Sequence, residues 1–128
     1  MTSSASEPRA WPTEIKLHKD RRALTIAFDN GEAHTLSAEY LRVKSPSAEV
    51  QGHSPDERKT VGGKRDVQIL EIHPIGNYAI RLGFDDLHST GIFSWDYLLD
   101  LGRRHAALWQ DYVDELAAKN LSREPPGR

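Results

Sequence analysis

Ala23-Leu24-Thr25-Ile26-Ala27-Phe28-Asp29-Asn30-Gly31 is the stretch that decides the fold class. Leu24, Ile26 and Phe28 alternate with Ala23, Thr25 and Ala27, the period-2 pattern of a strand with one buried face. Asn30-Gly31 then supplies residues that tolerate positive φ at both central turn positions, so a hairpin is predicted. Upstream, Glu14 to His18 alternates as a strand and Lys19-Asp20-Arg21 makes a turn. Downstream, a third short strand covers Ala33 to Leu36. Ser37 is an N-cap and Glu39 falls in the first turn of a short helix over Ala38 to Val43.

The second half repeats the plan. Val67 to Ile72 forms a strand whose apolar positions switch parity, which predicts a bulge or burial on both faces. After a turn at Pro74-Ile75-Gly76-Asn77, Tyr78, Ile80, Leu82 and Phe84 alternate with Ala79, Arg81 and Gly83. Asp85-Asp86 turns again, a strand covers Ser89 to Phe93, and Ser94 caps a helix with Asp96 in its first turn. Gly102 is expected to end or bend that helix. Arg103 to Lys119 then carries Leu108, Trp109, Tyr112, Val113 and Leu116, the apolar stripe of an amphipathic helix. Phe28-Asp29-Asn30 is matched by Phe84-Asp85-Asp86, Tyr40-Leu41 by Tyr97-Leu98 and Leu17-His18 by Ile72-His73. Internal duplication and chance recurrence of hairpin grammar both account for this. Either way the class is α+β: mostly antiparallel strands in two similar three-stranded meanders, each followed by a helix, with a long C-terminal helix packed on the sheet.

The chain has 128 residues, enough for one domain. Residues 1–12 and 120–128 are polar and Pro-, Gly- or Ser-bearing and are expected as disordered tails, leaving 13–119 as the folding unit. Lys44 to Arg65 has two Pro, three Gly, three Ser and eight charged residues, with no periodicity. Loops of that length inside compact domains tend to be functional. With 17 Lys plus Arg against 19 Asp plus Glu, there is no basic excess for nucleic-acid or membrane binding. The absence of Cys fits a reducing compartment and removes thiolate chemistry. Residues 1–10 contain no secretory pattern, so cytoplasmic residence is the expectation.

No GxGxxG, P-loop, GxSxG or HExxH pattern occurs, and no two of the six His stand three or four residues apart. His18, His73 and His105 are expected as structural or solvated. Asp85, Asp86 and His88 form the tightest cluster of ligand types. Oxygen and imidazole donors suit zinc, iron or manganese, and the same residues make an ordinary polar turn. Gly91-Ile92-Phe93-Ser94-Trp95-Asp96-Tyr97 is the most aromatic stretch, suited to a core or to an interface. Gly62-Gly63-Lys64-Arg65 offers backbone N–H groups that can converge on an anion, and Arg103-Arg104 reads as a solvated face.

Several of these segments also carry a resemblance. Trp11-Pro12-Thr13-Glu14-Ile15, Tyr40-Leu41-Arg42-Val43-Lys44-Ser45-Pro46-Ser47-Ala48-Glu49-Val50-Gln51-Gly52-His53, Gly76-Asn77-Tyr78-Ala79-Ile80 and Phe84-Asp85-Asp86 through Gly91-Ile92-Phe93-Ser94-Trp95-Asp96-Tyr97-Leu98 resemble the gamma-butyrobetaine hydroxylase-like N-terminal domain family, in its stand-alone bacterial form. The resemblance implies a domain that precedes the catalytic jelly roll of iron- and 2-oxoglutarate-dependent dioxygenases, or is appended to iron–sulfur carrier proteins. In the dioxygenases it is not catalytic, helps pack the dimer and binds zinc through three Cys and one His. The Cys positions match Ser45, Ser47 and Val50 here, and the His matches His88. One imidazole without three thiolates does not close a tetrahedral zinc site, so no zinc or other cofactor is carried over. Packing and hydrogen bonds near Ser45, Pro46 and His88 are expected to hold that junction instead.

The functional expectation is a non-catalytic binding module with a protein partner, linked to an oxygenase or iron–sulfur carrier system. Asp85, Asp86, His88, Trp95, Asp96 and His53 are its candidate binding residues. The alternative is a protein that binds iron or zinc through His88, Asp85 and His53. Nothing nominates a nucleophile with its base. Trp109 and Tyr112 on the last helix leave homodimerisation open.

Overall fold

The computed structural model describes residues 10–46 and 60–125. Strands β1 (Pro12–Leu17), β2 (Ala23–Phe28) and β3 (Ala33–Ser37) form one antiparallel sheet in sequential order, followed by α1 (Ala38–Val43). Strands β4 (Ile69–Ile75), β5 (Ala79–Phe84) and β6 (Gly91–Ser94) form a second sheet of the same order. Helices α2 (Trp95–Arg103) and α3 (His105–Ala118) complete the chain. The α+β class with two three-stranded meanders is thus the observed one.

Leu24, Ile26 and Phe28 on β2 are buried in strict alternation, and β5 is buried almost throughout as the central strand of its sheet. Both sheets, α1 and α2 contribute to one core that includes Leu36, Tyr40, Leu41, Leu82, Phe84, Phe93, Leu98 and Leu101. Each such side chain contributes about 1.5–3 kcal/mol relative to exposure. Of the stripe predicted on the last helix, Tyr112 and Leu116 are buried, in a satellite cluster with Val43, while Leu108 and Trp109 pack half-buried against the main core.

Four local expectations are corrected. The β2–β3 turn puts only its glycine at positive φ (Gly31, +90°). Gly31 N–H donates to Phe28 O (3.1 Å) and Phe28 N–H to Glu32 O (2.8 Å). This is a type I turn closed by a glycine bulge, in which Asn30 keeps an ordinary φ. The second-half strand begins at Ile69 rather than Val67, and the parity switch is a real register shift between Ile69 and Glu71. It runs on through Pro74, which an edge strand tolerates. Gly102 lies inside α2, and the helix breaks only at Arg104. Residues 120–125, assigned by composition to a tail, lie against the body: Gly63 N–H donates to Ser122 O (2.8 Å) and Arg65 N–H to Arg123 O (3.0 Å). Short-range composition carries no trace of partners this far away in the chain.

The two halves share a hydrogen-bond plan. Ser37 and Ser94 each cap a helix by accepting from Tyr40 N–H and Tyr97 N–H. Asp29 and Asp85 each accept from the start of the first strand, at Trp11 N–H and Gln68 N–H. Asn30 and Asp86 each accept from the residue two further on. Leu87, at φ +74°, takes the place of Gly31. The tyrosines are exchanged: Tyr40 Oη–H donates to Leu101 O, and Tyr97 Oη–H donates to Lys44 O. Tyr97 and Leu101 each stand 57 positions after Tyr40 and Lys44. Such reciprocity is the pattern that a twofold relation between the halves produces.

Candidate functional site

Asp85, Asp86 and His88 sit together in the β5–β6 turn, but their side chains diverge. Asp85 accepts from Gln68 N–H (3.1 Å) and tethers the start of the second sheet. Asp86 Oδ1 accepts from His88 N–H (3.1 Å), while Oδ2 accepts from Arg42 Nε (2.7 Å) and Lys64 Nζ (2.7 Å). His88 is buried, with its Nε2 at 2.9 Å from Ser45 Oγ and its ring tilted over Phe84. Burial raises the Asp86 carboxyl, but bonds from Lys64, His88 N–H and Arg42 outweigh it and hold the group below the usual carboxylate range. Arg42 keeps one buried nitrogen, Nη1, without a hydrogen-bond partner.

This geometry fixes what the cluster can do. Ser45 and His88 have the separation of a nucleophile and its base, yet Ser45 is wholly buried. No substrate reaches its hydroxyl. The pair is a strut that ties the loop after α1 to the second-half turn. The donors do not fit a four-ligand zinc: a hydroxyl stands where a thiolate would, and Asp86 is engaged by two cations. Among the described residues, no group of three or more His, Asp or Glu is placed to hold a metal ion. Ser47, Val50 and His53 lie outside the described residues.

In the first half, Glu32 stands where His88 stands in the second. Its carboxylate takes Arg103 through Nε (3.0 and 3.1 Å) and Nη2, and His34 Nε2 at 3.0 Å. These contacts, Arg103 first and His34 second, hold it down at about 2. An unperturbed Glu titrates at about 4.3, so the folded state binds the proton more weakly than the unfolded state. The stabilisation is therefore present above about pH 5 and is lost as pH falls toward 2. Glu32→Gln is expected to lower the urea midpoint at pH 7, and the gap from wild type should close by pH 2–3. A gap that stays constant with pH would refute the assignment.

A second constellation gathers around the β4–β5 turn, where Trp11, Tyr78 and Trp95 line one cleft. Trp95 opens α2, its indole Nε1–H donating to Asn77 O (2.9 Å) and its ring half-buried against the core. Trp11 is held just ahead of β1 by paired bonds with Asp29, and its side chain is 44% exposed. Tyr78, on the β4–β5 turn, is 55% exposed. With Ala10, Ser94 and Asp96 these three aromatics line a cleft of about 350 Å³. Trp95 and Asp96 were legible as candidates. Trp11 and Tyr78 were not: Tyr78 continues the alternation of β5 in sequence, but the strand begins one residue later, so its side chain escapes the core.

The family described as gamma-butyrobetaine hydroxylase-like, N-terminal, matches residues 15–99. An NMR solution structure is similar with TM-score 0.79 and 43% identity, over 94% of this chain and 95% of that one. A second NMR structure has TM-score 0.78 and 47% identity, over 98% and 92%. A crystal structure of a protein of unknown function of the DUF971 family from Acidithiobacillus ferrooxidans has TM-score 0.63 and 37% identity, over 76% and 98%. No curated protein matches the chain.

Proposed function

This chain belongs to the gamma-butyrobetaine hydroxylase-like N-terminal family, and on that premise we propose that it is a non-catalytic interaction module whose partner docks at the Trp11–Tyr78–Trp95 cleft. The observation that carries the proposal is the exposure of two large aromatics around a third that is anchored in the core. Aromatic side chains supply much contact area for few rotatable bonds and are enriched at binding hot spots. The Ser45–His88 pair supports the non-catalytic part, because it is shut away from substrate. The family's name attaches the domain to a hydroxylase, so an oxygenase, or an iron–sulfur carrier system, is where the partner is sought.

The test is crosslinked capture from native cells by wild type and by a Trp11→Ala/Tyr78→Ala variant. Both replaced side chains are largely solvent-facing, so the variant should keep its melting temperature to within a few degrees. A partner held by wild type and lost by the variant, at about tenfold or greater weakening of the purified pair, is the expected outcome. Equal capture by a folded variant would overturn the proposal.

A further inference from the structure

Glu39 is an anomaly, a carboxylate only 5% exposed in the first turn of α1. Buried Glu persists only when paired. Its partner comes from 84 residues away: Arg123 Nε donates to Oε2 (2.9 Å) and Nη2 to Oε1 (2.8 Å), a two-pronged fork. The same guanidinium lies over the Trp109 ring, 5.2 Å from its centroid. The peptide that carries it bends at Arg123 and Glu124, its carbonyls at 122 and 123 accepting from the N–H groups of Gly63 and Arg65. Glu39, Arg65, Trp109 and Arg123 line one cavity of about 440 Å³, with Arg22 and His105. A buried carboxylate, an aromatic face and two backbone donors are a receptor for one chemistry: an arginine with peptide carbonyls beside it.

The segment that carries Arg123 lies at the surface. It leaves α3 through Asn120 at φ +56°. Asn120, Leu121, Ser122 and Glu124 are exposed. Beyond the Arg123 fork and its contact with Trp109, it is retained by three backbone bonds, donated by Gly63, Arg65 and Leu121 (to Leu116 O), and a rim pair between Glu124 and Arg65. Segments with few buried apolar contacts open at the low end of the stability range. The receptor half is rigid, because Glu39 belongs to α1 and Trp109 packs against the core. We infer that the Glu39–Trp109 groove is a binding site for an arginine-bearing segment of a partner protein, and that residues 121–125 occupy it as a tethered, displaceable ligand. The inference stands apart from the aromatic cleft and uses none of its residues.

The test uses the full chain and a capped peptide copying residues 120–125, beside the same peptide with lysine in place of the arginine. The tether holds its arginine at an effective concentration on the order of millimolar, so wild type should need millimolar peptide. The Arg123→Ala chain, with its carboxylate left bare, should bind the arginine peptide at least tenfold more tightly than wild type does. It should also prefer that peptide at least tenfold over the lysine form, with the amide signals of Gly63 and Arg65 shifting on binding. Adding Glu39→Gln to Arg123→Ala should abolish the preference. A folded Arg123→Ala chain that ignores the peptide, or takes the lysine form equally well, overturns the inference. Should that variant not fold, the wild-type chain decides. Millimolar arginine peptide must shift the chain's own Ser122, Arg123 and Glu124 amide signals as that segment is released, and silence there overturns it too. Dimerisation of wild type that Arg123→Ala abolishes would give the groove to a second copy and overturn the partner assignment.

Discussion

Asp86→Ala is expected to lower the unfolding free energy by about 3 kcal/mol, because it strips the counter-charge from two partly buried cations at once. Arg42 has a side chain only 12% exposed, and one of its nitrogens already lacks a partner. Without Asp86 its guanidinium is left charged and poorly solvated, since arginine does not deprotonate to escape. Breaking a buried pair from one side costs about 3–5 kcal/mol. The lower end applies here because Lys64, at 23% exposure, can turn its ammonium toward water. Asp86→Asn should cost less, since it can keep the bond from His88 N–H that shapes the turn. Replacing Arg42 with Met in the Asp86→Ala chain should recover part of the loss, because an absent pair costs less than a broken one. The sign with pH follows from the lowered carboxyl: the stabilisation is present above the ordinary carboxylate range and fades as pH falls below it. Urea denaturation of the four chains at constant slope measures all of this. A loss under about 1 kcal/mol for Asp86→Ala would show that the cations are solvated and that the cluster is not a lock.

Sequence carried the strands well and the site poorly, for one physical reason. Alternation along Leu24, Ile26 and Phe28 is a local record of which face is buried, and β2 and β5 obey it residue by residue. The capping serines are equally local, each satisfying an N–H three positions on. Asp85, Asp86 and His88 looked convergent because they are neighbours in sequence. In a tight turn successive side chains point apart, and each found a different partner, at Gln68, at Arg42 with Lys64, and at Ser45. Those partners stand far away in the chain, where no periodicity registers them. Glu39 read as an N-terminal helix charge, which it is, and its burial under Arg123 left no mark on the polar composition of residues 120–128. Ser45 was legible only through the family's cysteine position, and Tyr78 was misplaced by a single residue of strand boundary.

Gly102→Ala tests the twofold packing of the halves, and its expected sign is opposite to what helix propensity gives. Alanine in a helix interior is favoured over glycine by about 1 kcal/mol. At this position a Cβ would stand 2.4 Å from Cγ of His34 and 2.8 Å from its Cβ, close to the root of a side chain that cannot swing clear. His34 is further fixed by Glu32 at 3.0 Å. Overpacking of this kind costs about 1–3 kcal/mol, and with the backbone separating α2 from β3 the upper end applies, for a net loss of about 2 kcal/mol. His34→Ala in the same chain should restore most of it. The counterpart contact lies 57 positions away in each partner: Gly91 faces Ser45, and a Cβ there would meet Ser45 Oγ at 2.2 Å. In each pair one member is glycine, on the helix in one half and on the strand in the other. Gly91→Ala should therefore be rescued in part by Ser45→Ala, and less completely than the first pair, because the bond to His88 that this change deletes is buried, whereas the His34–Glu32 bond lost with His34→Ala is partly exposed. Thermal and urea unfolding of the singles and doubles give two coupling energies. If Gly102→Ala were neutral or stabilising, propensity alone would govern the site and the close approach of α2 to β3 would be wrong.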